Sequence, residues 1–159
     1  MAQQKKILPQ DIVITLKPKK HSIIEEYAVI KVGDNIQKPD LDLLIYKYKR
    51  SLNYPITIYS IKTSLRERAG QSYRWKLLID ICTATDCDSI KDKYSLSYTQ
   101  KAKLVTGFIT ANFYKEITHP QQKGMLSFFD YVYITKDGTW ENPVTRFSSA
   151  IKDLSTTYK

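Results

Sequence analysis

The sequence is poor in the residues that build thiolate metal sites and disulfide frameworks. It contains two cysteines, Cys82 and Cys87, and two histidines among 159 residues. The cysteine spacing fits no common zinc pattern, and two histidines do not complete a tetrahedral nitrogen and sulfur site. These counts exclude structural zinc and a disulfide framework.

Long hydrophobic runs are also absent. No apolar stretch approaches the roughly 18 to 20 residues that cross a bilayer, and the first six residues lack the apolar region of a secretory signal. We therefore expect a soluble, cytoplasmic protein. Its 159 residues suit one domain with a single core, with residues 1–20 as an N-terminal arm.

Positive charge and aromatic side chains are abundant. Lysine and arginine total 25 against 16 acidic residues, which gives a net charge of +9, and there are 12 tyrosines, five phenylalanines and two tryptophans. This combination is typical of a surface that neutralises phosphates and stacks against nucleic acid. The alternative is a soluble basic domain whose tyrosines are half-buried on strand faces.

Hydrophobic periodicity predicts an α/β domain with a mixed sheet. The predicted strands are residues 40–49, 55–62, 103–113 and 129–135. The predicted helices are residues 21–31, 65–81, 121–128 and 144–154. Residues 7–16 are predicted to form an extended arm or a helical turn. In the second helix, the predicted buried stripe comprises Tyr73, Leu77, Leu78 and Ile81.

The predicted hairpin of strands 40–49 and 55–62 gathers the residues that carry chemistry. Antiparallel pairing brings Asp40 and Asp42, at the head of the first strand, close to Ser60 and Lys62, at the end of the second. Residues two apart share a face of a strand. Carboxylates and substrate phosphates are the ligands that Mg²⁺ prefers, and a nearby lysine polarises water and balances charge.

A family resemblance is carried by the same segments. Residues 60–68 (SIKTSLRER), followed by Gln71, are similar to a signature found in a subset of Type II restriction endonucleases of the PD-(D/E)XK nuclease superfamily. Pro39-Asp40 matches the first half of the superfamily pattern, and residues 129–133 (FDYVY) resemble a downstream strand. The resemblance implies a restriction-endonuclease-like core, which is a mixed β-sheet flanked by helices.

The resemblance also implies the members of an active site. Asp40 and Asp42 would hold Mg²⁺, and Lys62 would activate water and stabilise the developing charge. Ser60 departs from the pattern, because the superfamily usually has an acidic residue there. The missing carboxylate is then expected from Glu67 on the following helix. Other candidates for this third acid are Asp80, Glu25 and Glu26.

Each of these roles has a structural alternative. Glu67 fits a capping box that begins at Ser64, in which it would bond back to the helix terminus. Asp40 and Asp42 have an alternative as solvated charges at a strand edge that discourage aggregation. Lys62 would then be an ordinary surface lysine.

Contacts to DNA are expected from the helix after Lys62 and from the C-terminal part. Glu67, Gln71 and Arg74 fall at helical spacing on one face, and Arg66 and Arg68 flank them. The arginines and Gln71 would contact phosphates. Lysine and glutamine read guanine and adenine edges, and the candidates for base contacts are Lys115, Gln121, Gln122 and Lys123. The alternative is a solvated basic face. His21 and His119 are expected at the starts of helices or in loops rather than in catalysis.

These expectations combine into one function. We expect a Mg²⁺-dependent, sequence-specific endonuclease of double-stranded DNA that acts as a homodimer on palindromic sites, with a cognate methyltransferase encoded nearby. One alternative is a nuclease of the same superfamily without sequence specificity, or with structure specificity. The other is a non-catalytic DNA-binding domain that keeps the fold.

Overall fold

A computed structural model of the chain describes residues 8–18, 20–48, 54–63, 68–98, 102–111, 117 and 119–159. Within these ranges the strands are β1 (Ile12–Leu16), β2 (Ile30–Val32), β3 (Asn35–Gln37), β4 (Leu43–Lys47), β5 (Ile56–Lys62), β6 (Leu96–Ser97), β7 (Leu104–Thr110), β8 (Tyr131–Ile134) and β9 (Val144–Arg146). The helices are α1 (Ser22–Tyr27), α2 (Arg68–Thr83), α3 (Asp88–Lys93), α4 (Pro120–Leu126) and α5 (Ala150–Thr157).

The main sheet is mixed, as the sequence predicts. Its six strands among the described residues run in the order β1-β4-β5-β7-β8-β9. The first three are antiparallel, and the pairs from β5 to β9 are parallel. Leu43 pairs with Tyr59, which confirms the predicted hairpin register. Nearly every residue of β7 is buried, as expected for a strand covered on both faces.

Helices cover both faces of this sheet, and β5 shows how the two faces separate. Ser60 bonds to Ser72 of α2, whereas Thr57, on the opposite face of the strand, bonds to Tyr158 at the end of α5. The fold is therefore a mixed α/β arrangement in which helices flank a mixed β-sheet, as the resemblance implies. Among the described residues, no helix is long and apolar enough to cross a membrane.

The N-terminal region contains two strands that sequence patterns assign differently. Residues 12–16, within the predicted arm, form β1 and pair with β4 at an edge of the main sheet. The predicted helix 21–31 is wrong in its second half, because α1 ends at Tyr27 and Ile30–Val32 forms β2. Ile30 and Val32 are β-branched and favour a strand, which pairs with β3 and β6 in a second, three-stranded sheet.

Helix α2 docks through a different stripe from the predicted one. Tyr73, Leu77, Leu78 and Ile81 are only partly buried. The buried residues are Ala69, Ser72, Trp75 and Ile79. Small side chains at positions 69 and 72 face the sheet. The predicted stripe was instead chosen from the large aliphatic and aromatic residues.

The predicted helix 144–154 is also wrong at its start. Val144–Arg146 forms the edge strand β9, a 3₁₀ turn follows at Phe147–Ser149, and α5 begins at Ala150. Val132 pairs with Val144, so a β-branched residue extends the sheet rather than opening a helix. The shorter predicted helix 121–128 is confirmed as α4, with bounds that differ by one or two residues.

Candidate active site

The end of β5 brings one ammonium group to two carboxylates. Lys62 is the last residue of β5, and its Nζ lies 2.8 Å from Oδ2 of Asp40 and 3.0 Å from Oδ2 of Asp42. Lys62 is buried, and both aspartates are partly exposed. The structure thus groups the three charged side chains that the hairpin pattern predicts.

Backbone hydrogen bonds hold Asp42 in this position, although it precedes the first residue of β4. Its N–H donates to the carbonyl of Tyr59 at 2.9 Å, and its carbonyl accepts from Lys17 at 2.8 Å. Oδ2 of Asp42 also accepts from the N–H of Ile61 at 2.8 Å. Asp42 is therefore fixed at both its main chain and its carboxylate.

Two buried serines hold the main chain of Asp40 in place. The hydroxyl of Ser60 donates to the carbonyl of Asp40, and the hydroxyl of Ser72 donates to Oγ of Ser60 at 2.7 Å. Each serine is only 4% exposed. Ser60 therefore acts as a hydrogen-bond donor to the main chain of Asp40, and its side chain does not replace the usual acid.

Ser72 belongs to the candidate site, although the sequence pattern does not single it out. The signal for it is a polar side chain on the inner face of a helix, between the buried residues Ala69 and Trp75. Such a residue needs a hydrogen-bond partner, and Ser60 provides one. Recognising the signal requires the docking stripe of α2, which the periodicity argument placed on other residues.

The charge of Lys62 is stabilised by its partners. Burial of the ammonium group lowers its pKa, but hydrogen bonds to Asp40 and Asp42 and the charges of these carboxylates outweigh that effect, so the pKa of Lys62 is raised. Lys62 therefore remains a cation at neutral pH in this arrangement. It is suited to donating hydrogen bonds and balancing negative charge rather than to removing a proton.

The third carboxylate is not located by the described residues. Glu67 lies outside them. Asp80 pairs with Lys76, and it follows Ser72 by about 12 Å along the axis of α2, so it is not part of the cluster. Glu25 pairs with Lys38 at 2.6 Å, and Glu26 is exposed on α1. Within the described part of the chain, no group of three acidic, histidine or cysteine residues could hold a metal.

The two aspartates nevertheless suit a magnesium ion. Mg²⁺ commonly binds through one or two carboxylates and takes its remaining ligands from water and phosphate oxygens. The side chains of Asp40 and Asp42 are 26% and 33% exposed, so both can reach a ligand from solvent. The donor set therefore fits this metal together with a bound phosphate group.

The expected DNA-contacting residues divide between two places. Gln71 and Arg74, on α2, line a cleft that also reaches Asp40. Lys123 lies on α4 and pairs with Glu141 at 2.7 Å, where it lines a separate cleft.

The remaining expected contacts are less well defined. Arg66, Lys115 and the side chain of Arg68 lie outside the described residues. Gln121 is exposed and Gln122 is partly buried, both on α4. Among the histidines, His21 and His119 precede α1 and α4 as their N-caps, as expected.

Comparison with known protein families identifies a family that covers most of the chain. Residues 20–159 match the family described as BsaWI restriction endonuclease type 2. The match covers β5, α2 and the residues of the Asp40, Asp42 and Lys62 cluster, and it begins after β1. No curated protein matches the chain.

Proposed function

Because the chain belongs to the BsaWI family of type 2 restriction endonucleases, we propose that it cleaves double-stranded DNA at a specific sequence in a Mg²⁺-dependent reaction. The observation that carries this proposal is the convergence of Asp40, Asp42 and Lys62 at one end of the sheet. The proposal treats residues 1–159 as one nuclease domain that acts in the cytoplasm.

The proposed roles follow from the chemistry of each group. Asp40 and Asp42 would hold the metal, and Glu67 would complete the site. When bound, Mg²⁺ would supply Lewis-acid activation of the phosphodiester. Lys62 would donate hydrogen bonds to the scissile phosphate and to the attacking water, and its positive charge would stabilise the charge that develops on the phosphate.

DNA would be held by the basic residues around this cluster. Arg66, Arg68, Gln71 and Arg74 would contact the phosphate backbone beside the site, and Lys123, on α4, would contribute from a different part of the surface. Restriction sites are commonly palindromic, so a two-fold symmetric homodimer would place one site on each strand. A cognate methyltransferase encoded nearby would protect the host DNA.

The direct experiment is incubation of a sequenced plasmid with the protein and Mg²⁺, followed by run-off sequencing of the ends. We expect discrete fragments with one sequence at every cut. Lys62→Ala should lower the cleavage rate by roughly 10² to 10⁴ while DNA binding is retained. Lys152→Ala is the matched control, because Lys152 is an exposed lysine on α5, on the other face of the sheet.

Two results would contradict the proposal in different ways. A smear of fragments would indicate a nuclease without sequence specificity. DNA binding without any Mg²⁺-dependent cleavage would indicate a non-catalytic DNA-binding domain. That second function is favoured by one observation, which is that Ser60 occupies the position of the usual acid and donates to a main-chain carbonyl.

A further inference from the structure

A cleft of about 450 Å³ opens beside Asp40, between the segment that follows β3 and helix α2. Its volume lies within the range of small-ligand sites, about 300 to 1,000 Å³. One wall is formed by residues 37–40, which include Gln37, Lys38 and Asp40, and the other by α2, which contributes Gln71, Arg74 and Trp75. We name this the flanking cleft.

The flanking cleft presents positive charge from both walls. Lys38 lies two residues before Asp40, and Arg74 lines the cleft from α2. Amide side chains of Gln37 and Gln71 add hydrogen-bond donors to the same space. Two cations and two amides, which line a cavity together with a carboxylate suited to Mg²⁺, match the chemistry of a phosphodiester chain rather than of an apolar ligand.

The charge of Lys38 is available to a ligand. Its partner is Glu25, at 2.6 Å, and the two side chains are 37% and 45% exposed. Ion pairs with this exposure contribute little, about 0 to 1 kcal/mol, so exchanging the carboxylate for a phosphate costs little. Glu25 is then a competitor for Lys38, and its negative charge opposes the binding of any anion in the cleft.

We propose that the flanking cleft binds the nucleotide next to the scissile phosphate on the strand that is cut, and that Lys38 and Arg74 pair with its phosphate from opposite walls. The assignment rests on the proposed function, because it takes the Asp40, Asp42 and Lys62 cluster as the place of cleavage. It defines the direction in which the strand leaves that cluster, and it makes Lys38 a substrate-binding residue.

The first test measures nucleotide binding without cleavage. The chain contains two tryptophans, so Trp140→Phe leaves Trp75 as the only one. Thymidine 3′,5′-bisphosphate, titrated with Ca²⁺ present, should change the fluorescence of Trp75, whereas thymidine should not. Calorimetry on the unsubstituted chain provides the same Kd if the variant folds poorly.

The direction in which two substitutions change the Kd distinguishes ligand binding from a structural role. Lys38→Gln should raise the Kd for the bisphosphate about fivefold, and Glu25→Gln should lower it, because one removes a partner and the other a competitor. If the Lys38–Glu25 pair only stabilised the fold, both variants would change Kd in the same direction. Lys152→Gln is the matched control for loss of one positive charge, and it should leave Kd unchanged.

The second test uses a 20-base-pair duplex that carries the mapped cleavage site, in Ca²⁺. The logarithm of its binding constant falls linearly with the logarithm of salt concentration, with a slope near −0.9 for each phosphate contact. Lys38→Gln should therefore make the slope shallower by about 0.9, and Lys152→Gln should not.

The two proposals fail in different ways. Bisphosphate binding with the expected signs, but no DNA cleavage, would overturn the proposed function and leave the flanking cleft as a nucleotide-binding site only. Sequence-specific cleavage together with no response of Trp75, or with Lys38→Gln and Glu25→Gln acting in the same direction, would overturn the cleft assignment alone.

Discussion

Ser60 has a different chemical role from the acid that the superfamily pattern places there. Its hydroxyl donates to the carbonyl of Asp40 and accepts from Ser72, so it needs a proton on its oxygen. A carboxylate has none at neutral pH and would face the carbonyl as a second acceptor. The serine and the geometry around it are therefore consistent with each other.

Restoring the usual acid at position 60 should destabilise the fold without improving catalysis. Ser60→Asp should lower the free energy of unfolding by about 2 to 4 kcal/mol, because it buries an uncompensated charge, and it should not raise cleavage. Urea denaturation and plasmid cleavage measure the two effects. Ser60→Ala, which only removes the hydrogen bond, should cost about 1 to 2 kcal/mol. A more active Ser60→Asp enzyme would mean that position 60 faces the metal.

Individual site residues were predictable where the pattern was local. Asp40, Asp42 and Lys62 follow from one hairpin, whose register is set by two neighbouring strands. Ser72 was not predictable in the same way, because its contact with Ser60 depends on how α2 rotates against the sheet. A rotation of that kind is a tertiary property, and helical periodicity reports it only when large apolar residues define the face.

At the level of elements, Gly107 shows how β7 makes room for a neighbouring strand. A Cβ at this position would clash with the ring of Tyr59, because it would overlap two of the ring carbons. The Tyr59 ring is almost fully buried. β7 therefore needs glycine at a central position of the sheet, where glycine otherwise weakens a strand.

Gly107→Ala should accordingly lower the free energy of unfolding by about 1 to 3 kcal/mol, because the Tyr59 ring must move in a packed core. Gly70→Ala is the matched control, since among the described residues nothing beyond its chain neighbours and the backbone of α2 itself lies within 4 Å of a Cβ there, and α2 gains helix propensity. This control should raise stability by up to about 1 kcal/mol. Thermal unfolding of both variants measures the difference, and equal effects would contradict the role assigned to Gly107.

Tyr158 attaches the end of α5 to the sheet. Its hydroxyl donates to the carbonyl of Ile45 at 2.8 Å and lies 2.8 Å from Oγ1 of Thr57. Burial raises the pKa of Tyr158 to about 12. The unfolded chain loses this proton near pH 10 and the folded chain keeps it, so the stability that Tyr158 contributes is complete below about pH 10 and falls as pH rises toward 12.

Tyr158→Phe should therefore cost about 1 to 3 kcal/mol at pH 8, because two buried polar groups lose a partner. The difference in free energy of unfolding between the variant and the unsubstituted chain should narrow by about 1 kcal/mol at pH 11. At that pH the phenol ionises in the unfolded chain but not in the folded chain, which favours unfolding. Denaturant titrations at the two pH values measure it. A difference that stays constant or widens at pH 11 would show that the phenol is not buried as described.

Element types were predictable where periodicity and propensity agreed. The hairpin of β4 and β5, the buried strand β7 and helix α4 all follow from local patterns. The strands β2 and β9 did not, because three-residue strands carry too little periodicity and are defined by their partners. The local sequence around Ile30 is typical of a helix end, and only its pairing with Gln37 makes it part of a strand. In the same way, Val144 resembles the start of a helix, and its pairing with Val132 places it in the sheet.

For the molecule as a whole, symmetry connects one active site to double-strand cleavage. Each chain supplies one cluster of Asp40, Asp42 and Lys62, which under the proposed function would act on one phosphodiester. A palindromic site presents two equivalent bonds, so cutting both strands in one binding event needs two chains related by a two-fold axis. The proposed homodimer therefore makes a kinetic prediction as well as a prediction of mass.

Sedimentation should give twice the 18.5 kDa of one chain, and a supercoiled plasmid with one site should become linear without accumulating nicked circles. Excess Lys62→Ala protein, mixed with the unsubstituted protein and allowed to exchange subunits, should divert the product to nicked circles, because each mixed dimer retains one working site. Excess Lys152→Ala protein carries the same charge change away from the cluster and should leave the product linear. Nicked circles as the first product of the unsubstituted protein, together with a monomeric mass, would mean that each chain cuts one strand independently.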